Sequence, residues 1–150
     1  MQNITTTLLP EIRNSHSITL PSGKAKFIWI DVENIGEAIS VLIESFQNHK
    51  NMVYEITVGE NKNFDEVTEI MSEITGIKIS FNKINPISFY FKKKKNGLES
   101  GFALIMTILH FLPRFQKPPK ISDSYNKLTG SNPTTIREII EREKQKMIST

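Results

Sequence analysis

Cysteine is absent from this 150-residue chain, which removes disulfides, thiolate metal sites and a thiol nucleophile together and fits a reducing, cytoplasmic setting. Glycine is present at 7 positions, but Gly23, Gly36, Gly59, Gly76, Gly97, Gly101 and Gly130 never take the spacing of G-x-G-x-x-G or of a P-loop. Those loops exist to bring backbone N–H groups to a phosphate at a helix N-terminus, and no other segment substitutes for them. His16, His49 and His110 are the 3 histidines; they stand far apart without companion ligands, so no metal site is expected. A G-x-S-x-G nucleophile elbow is missing too. The longest apolar run, residues 101–112, is broken by Thr107 and His110 and falls short of the roughly 18–20 residues of a membrane span. It predicts a buried helix and no membrane partner. The opening MQNITTTLLPEIRN has no basic region followed by a long apolar stretch, so no export signal is expected.

What remains is an ordinary globular composition, 38% hydrophobic and 23% charged, with enough apolar material for one core. The net charge of +3 is unevenly spread. Residues 1–91 carry 7 basic and 11 acidic groups, whereas 92–150 carry 12 and 5. Lys92, Lys93, Lys94 and Lys95 supply much of that excess. They are contiguous and have no stacking platform, so they read as a solvated run, and no nucleic-acid partner is expected.

Two helices are clearly written. Asp31 is a good N-cap, followed at helical spacing by Ile35, Ala38, Ile39, Leu42, Ile43 and Phe46. Asn63 with Glu66 makes a capping box before Val67, Ile70, Met71 and Ile74, and Gly76 supplies the stop. Each amphipathic helix is expected to pack on a sheet. Strands are predicted over residues 18–20, 27–30, 53–58 and 77–81, and Pro21-Ser22-Gly23 suggests that the first two pair as a hairpin. This strand–helix alternation predicts an α/β fold. Beyond Pro86 the pattern is helical: an apolar stretch stopped by Pro113, a short helix ending at Gly130, and a last helix opened by a Thr135–Glu138 capping box.

Parallel sheets need covered faces and neighbouring strands, yet residues 53–58 find few parallel partners within the chain. Their partners are therefore expected upstream. Tyr90 and Lys94 satisfy Y-x-x-x-K, the catalytic pair of short-chain dehydrogenases, but any tyrosine two positions ahead of a lysine run would match. Tyr90 reads with Phe89 and Phe91 as a packing or pocket aromatic. No catalytic residue is assigned, and the residues that would bind a cofactor are unknown.

Read in order, several segments resemble the C-terminal half of the NmrA-like family of atypical short-chain dehydrogenases/reductases. Met1-Gln2-Asn3 looks like its F-M-x-N stretch, and Ile18-Thr19-Leu20-Pro21 with Gly23 like its next strand and turn. Phe27-Ile28-Trp29-Ile30-Asp31-Val32-Glu33-Asn34-Ile35 is similar to F-x-x-x-D-V-x-D-I, with Asn34 in place of aspartate. Tyr54-Glu55-Ile56-Thr57 resembles Y-x-L-T-G, with Val58 where glycine is usual. The tail from Leu128 through Gly130, Pro133 and Thr135 to Glu138 resembles L-T-G-x-x-P-x-T-x-x-E.

The resemblance implies the C-terminal part of a Rossmann-type, NAD(P)-binding oxidoreductase fold, truncated before its nucleotide-binding half. Residues 1–85 would complete the Rossmann sheet, and 86–150 would form a helical substrate lobe. The implied function is the substrate or effector side of a reductase or epimerase-like protein, inactive alone; the alternative is a non-catalytic NAD(P) sensor or interaction module. Asn3, Phe89 and Tyr90, with the helix over 101–112, would line a pocket for a small-molecule substrate. NAD(P) is the family's cofactor and is not expected to bind this chain alone. The implied partner is a separate Rossmann half, or a second copy meeting an exposed apolar surface.

Overall fold

A computed structural model describes residues 2–148, with side chains from Ile4 onward. Helices α1 (Gln2–Thr5) and α2 (Leu9–Ser15) lead into strand β1 (Ser17–Leu20), and β2 (Phe27–Ile28) precedes α3 (Val32–Glu44) and α4 (Phe46–His49). Strand β3 (Asn61–Lys62) opens onto α5 (Phe64–Thr75), which returns through β4 (Ser80–Lys83). Helices α6 (Pro86–Lys95) and α7 (Ser100–Phe111), a 3-10 turn (Leu112–Phe115), α8 (Ser124–Thr129) and α9 (Ile136–Ile148) complete the order. The fold is α/β, as the alternation predicts.

Local signals are obeyed. The Asp31 carboxylate caps α3, and Asn63 accepts from the Glu66 N–H at 2.9 Å while Glu66 accepts from the Asn63 N–H at 2.8 Å. Gly76 takes φ 75° at the end of α5, a left-handed stop that side chains disfavour. Glu138 accepts from the Thr135 N–H at 2.7 Å, closing the start of α9.

Strand pairing departs from expectation. The hairpin across Pro21-Ser22-Gly23 does not form; β1 pairs in parallel with β4, Ser17 opposite Ser80 through Leu20 opposite Lys83. All four β1 residues are buried, the pattern of a strand covered on both faces, and the crossover through α5 delivers its partner. Strand β2 pairs only over Phe27 and Ile28, antiparallel to β3. Residues 53–58 are not a strand: among the described residues nothing pairs with them, and Val53 is 96% exposed. A β-branched run becomes a strand only where a neighbour accepts its ladder bonds. The last predicted strand is shifted, its lead-in pinned to α5 by the Ile79 N–H donating to Ser72 Oγ at 2.8 Å.

The core runs from Ile12 of α2 through Ile18 and Leu20 of β1 to Val67 and Met71 of α5, and on to Ile136, Ile140 and Met147 of α9. Two helices carry apolar residues outside it. On α7 only Ala103, Met106 and Thr107 are buried, while Phe102 is 53% and Leu109 63% exposed, which corrects the buried-helix reading. On α3 the stripe Ile35, Ile39 and Ile43 is open, with Ile43 70% exposed, rather than packed on a sheet. Polar contacts turn that helix the other way. Asn34 Nδ2 donates to Tyr125 Oη at 2.9 Å, Asn34 Oδ1 accepts from the Thr134 N–H at 2.9 Å, and Arg142 grips Asp31 at 2.7 Å. The Asn34–Ala38 face consequently lies inward, against α8.

Candidate functional site

An apolar cleft of about 330 Å³ lies between two walls. One is formed by Phe27, Ile28 and Trp29 at β2 with Phe64 at the start of α5; the other by Phe102, Ile105, Met106, Leu109 and His110 of α7. Thr7 and Leu8 also line it. The first wall is an aromatic nest: Trp29 meets Phe64 edge-on with ring centroids 5.0 Å apart, and Phe27 meets Phe64 at 5.4 Å. Alternation in Phe27-Ile28-Trp29 puts two rings on one side of the chain, and Trp29 is anchored by Nε1 donating to Lys62 O at 2.8 Å. The second wall follows helical spacing, since Phe102, Met106 and His110 are four residues apart.

His110 is the titratable group of this cleft. Its Nδ1–H donates to Met106 O at 2.7 Å, and its ring lies 6.4 Å from both Phe64 and Phe89. Burial among these groups holds its pKa below the ordinary value, with the Lys93 charge adding to the effect and the bond to Met106 opposing it. The imidazole is therefore neutral at pH 7, with Nε2 left as an acceptor.

Two further clefts are more polar. One of about 680 Å³ includes Thr57, Ser122, Asp123, Tyr125 and Asn132. Beneath it the Tyr125 hydroxyl donates to Glu37 and accepts from Asn34, and burial first, then Glu37, raises its pKa. The other, about 530 Å³, is basic, with Lys24, Lys26, Lys83 and Arg114 around Gly23. Lys83 is paired with Asp65 at 3.0 Å. Among the described residues no group of three or more His, Asp or Glu is placed to hold a metal, and no helix is long and apolar enough to cross a membrane.

The residues singled out from sequence are scattered about the apolar cleft rather than gathered in it. The Asn3 side chain lies outside the described residues. Phe89 is fully buried in the core, one layer behind the cleft against His110. Tyr90 packs edge-on against Phe91 at 5.3 Å with Lys94 Nζ 5.8 Å from its ring centroid, and it touches none of the three clefts. Of the expected pocket helix, 102, 105, 106, 109 and 110 do form a wall. Trp29 and Phe64 were not read from the sequence as pocket residues, and His110 entered only as part of the helix over 101–112. The i, i+2 rings and i, i+4 spacing wrote each wall, but nothing local showed that the walls face each other.

No protein-family model matches the chain. Among curated proteins it is similar to Prestalk A differentiation protein A of Dictyostelium discoideum, 26% identical over 122 residues, covering 81% of this chain and 40% of that protein. Among solved structures it is similar to the NADP(H) complex of Citrobacter sp. triphenylmethane reductase, with TM-score 0.82 and 20% identity over 94% of this chain and 49% of that one. An NADPH-dependent quinone oxidoreductase of Escherichia coli gives TM-score 0.82 and 17% identity, covering 94% and 51%. A nucleoside-diphosphate-sugar epimerase of Staphylococcus aureus gives 0.80 and 17%, covering 93% and 48%. The chain shares the fold of the C-terminal half of these proteins and spans about half the length of the structures it matches.

Proposed function

We propose that this chain is the substrate- or effector-side half of an NmrA-like, NAD(P)-dependent reductase or epimerase-like protein with a Rossmann-type sheet, and that the apolar cleft is its pocket. The observation that carries the reading is likeness of nearly the whole chain to half of several such proteins, at TM-scores of 0.80 to 0.82. On this reading residues 1–85 complete the Rossmann sheet and 86–150 form the substrate lobe. The phosphate cradle of a dinucleotide lies, on the same reading, outside this chain. Gly76 and Gly130 end helices rather than open them. The N-terminus of α7 is already filled by the Glu99 carboxylate, which accepts from the Gly101 and Phe102 N–H groups at 2.8 and 3.0 Å and would repel a phosphate. No step of hydride chemistry is assigned to its residues.

The open stripe Ile35, Ile39 and Ile43, with residues 53–58 lacking a strand partner among the described residues, supports docking of a nucleotide-binding half. Co-expression of that half, from the same frame or a separate chain, is expected to give a complex that binds NADPH in a fluorescence titration. Ile39→Asp with Ile43→Asp should abolish the complex without unfolding the chain. A complex that forms but binds no nucleotide would sink the reductase reading. The same stripe favours a second reading, a non-catalytic module that self-associates; sedimentation of a monomer at high concentration would sink that one.

A further inference from the structure

The polar groups available inside the apolar cleft are few. Trp29 Nε1 is committed to Lys62 O and His110 Nδ1 to Met106 O, and no charged side chain lines the walls. Thr7, which also lines the cleft, is exposed to solvent. A phosphate or carboxylate entering here would lose its hydration without gaining a counter-charge, which is strongly unfavourable. A carbonyl would meet the unprotonated Nε2 at the imidazole's edge, acceptor against acceptor. Flat conjugated surface, by contrast, finds the rings of Phe27, Trp29 and Phe64 on the first wall and Phe102, Ile105, Met106 and Leu109 on the second.

We infer that the cleft selects a flat aromatic molecule bearing one hydrogen-bond donor, a ring hydroxyl or ring amine, which donates to His110 Nε2. The inference rests on the cleft being the pocket proposed above, and it adds the chemistry of what enters. His110 is a specificity-determining residue here, since Nδ1–H is held by the backbone of its own helix one turn back. That bond fixes both the tautomer and the direction of the free lone pair. Because the donor to Met106 O is satisfied, the imidazole can offer only acceptance to a guest.

The test uses the 150-residue chain and two probes, 2-naphthol and 2-methoxynaphthalene, which differ in whether the oxygen carries a proton. Binding is followed by calorimetry and by quenching of Trp29, the chain's 1 tryptophan, which places the probe in the cleft. Going from wild type to His110→Phe, the ratio of naphthol to methoxynaphthalene affinity is expected to fall about fivefold, the worth of one ordinary hydrogen bond. The methoxynaphthalene affinity itself should stay within about twofold. His110→Gln, which restores an acceptor, should recover part of the ratio and guards against a collapsed pocket. Quenching by both probes with a ratio unchanged in His110→Phe overturns the His110 assignment and leaves the cleft as a pocket. Failure of both probes to bind or quench overturns the pocket itself, and this inference with it; binding of 2-methoxynaphthalene but not of 2-naphthol overturns the inference alone.

Discussion

Replacing Arg142 by alanine removes the cation from a carboxylate that has no exposure of its own. Asp31 is 0% exposed; its Oδ2 accepts from Arg142 Nη2 at 2.7 Å, and its Oδ1 receives the long 3.4 Å cap from the Glu33 N–H. Breaking a fully buried pair costs about 3–5 kcal/mol. The Arg142 side chain is 37% exposed, so water reaches the site once the guanidinium is gone, and screening reduces the expected cost to about 2 kcal/mol. For a chain of this size that is a fall in Tm of about 4–8 °C. The second carboxylate on Arg142, Glu33 at 2.7 Å, is itself largely exposed, so Glu33→Gln should cost less than about 0.5 kcal/mol. Urea unfolding of Arg142→Ala, Asp31→Asn and the double variant measures the coupling. Asparagine keeps the cap while removing the charge, so the double variant should cost little more than the worse single one. Additive losses, or an Arg142→Ala within about 0.5 kcal/mol of wild type, would refute the claim that this pair orients α3.

Tyr125→Phe deletes the donation to Glu37 and leaves the buried Asn34 amide without its acceptor, for an expected loss of about 2 kcal/mol in urea unfolding. Asn63→Ala removes one arm of the α5 capping box and should cost about 1 kcal/mol, with Asn63→Asp near wild type. Acidification tests His110, whose folded pKa lies below the ordinary 6.5. The unfolded chain takes the proton first, so this contribution to stability is whole above 6.5 and lost as pH falls through 6.5 toward the folded value. His110→Phe should flatten that part of the pH–stability curve, read as Tm against pH.

What could be read from the sequence was what neighbouring residues decide among themselves. The caps at Asp31, Asn63 and Thr135 and the stop at Gly76 involve partners two to four residues away, and they stand where the spacing put them. The partner of β1 lies across the α5 crossover at Ser80, beyond any local turn signal, and so the hairpin expectation failed. The facing of α3 depends on Tyr125, Thr134 and Arg142, about a hundred residues away; its apolar stripe alone pointed to burial on the wrong side. For the site, the helix over 101–112 was legible as a wall. Phe89 was drawn into the core because α6 packs against α7, and its aromatic character could not tell a core residue from a pocket one.

The positions of the two open apolar surfaces bear on whether the chain stands on its own. A partial sheet suggests dependence on missing strands, and residues 53–58 carry that suggestion most strongly. Yet the main core cluster contains no residue of α3 and none of 53–58, although Ala38, Thr57 and Val58 are themselves buried outside it. It is built mainly from α2, β1, α5, α6 and α9, with Ile4 of α1 and Met106 of α7, and Val67, Met71 and Ile140 are essentially sealed from solvent. Covering Ile35, Ile39 and Ile43 would therefore add binding energy without repairing a defective interior. Folding and the proposed docking would draw on different residues, so the stripe can be made polar at little cost to stability, whereas Met71→Ala should remove about 2–5 kcal/mol. The His110 cleft, walled by core aromatics such as Phe64 and Trp29, is therefore formed by the chain's own packing, which is what the proposed two-part pocket would need of this half.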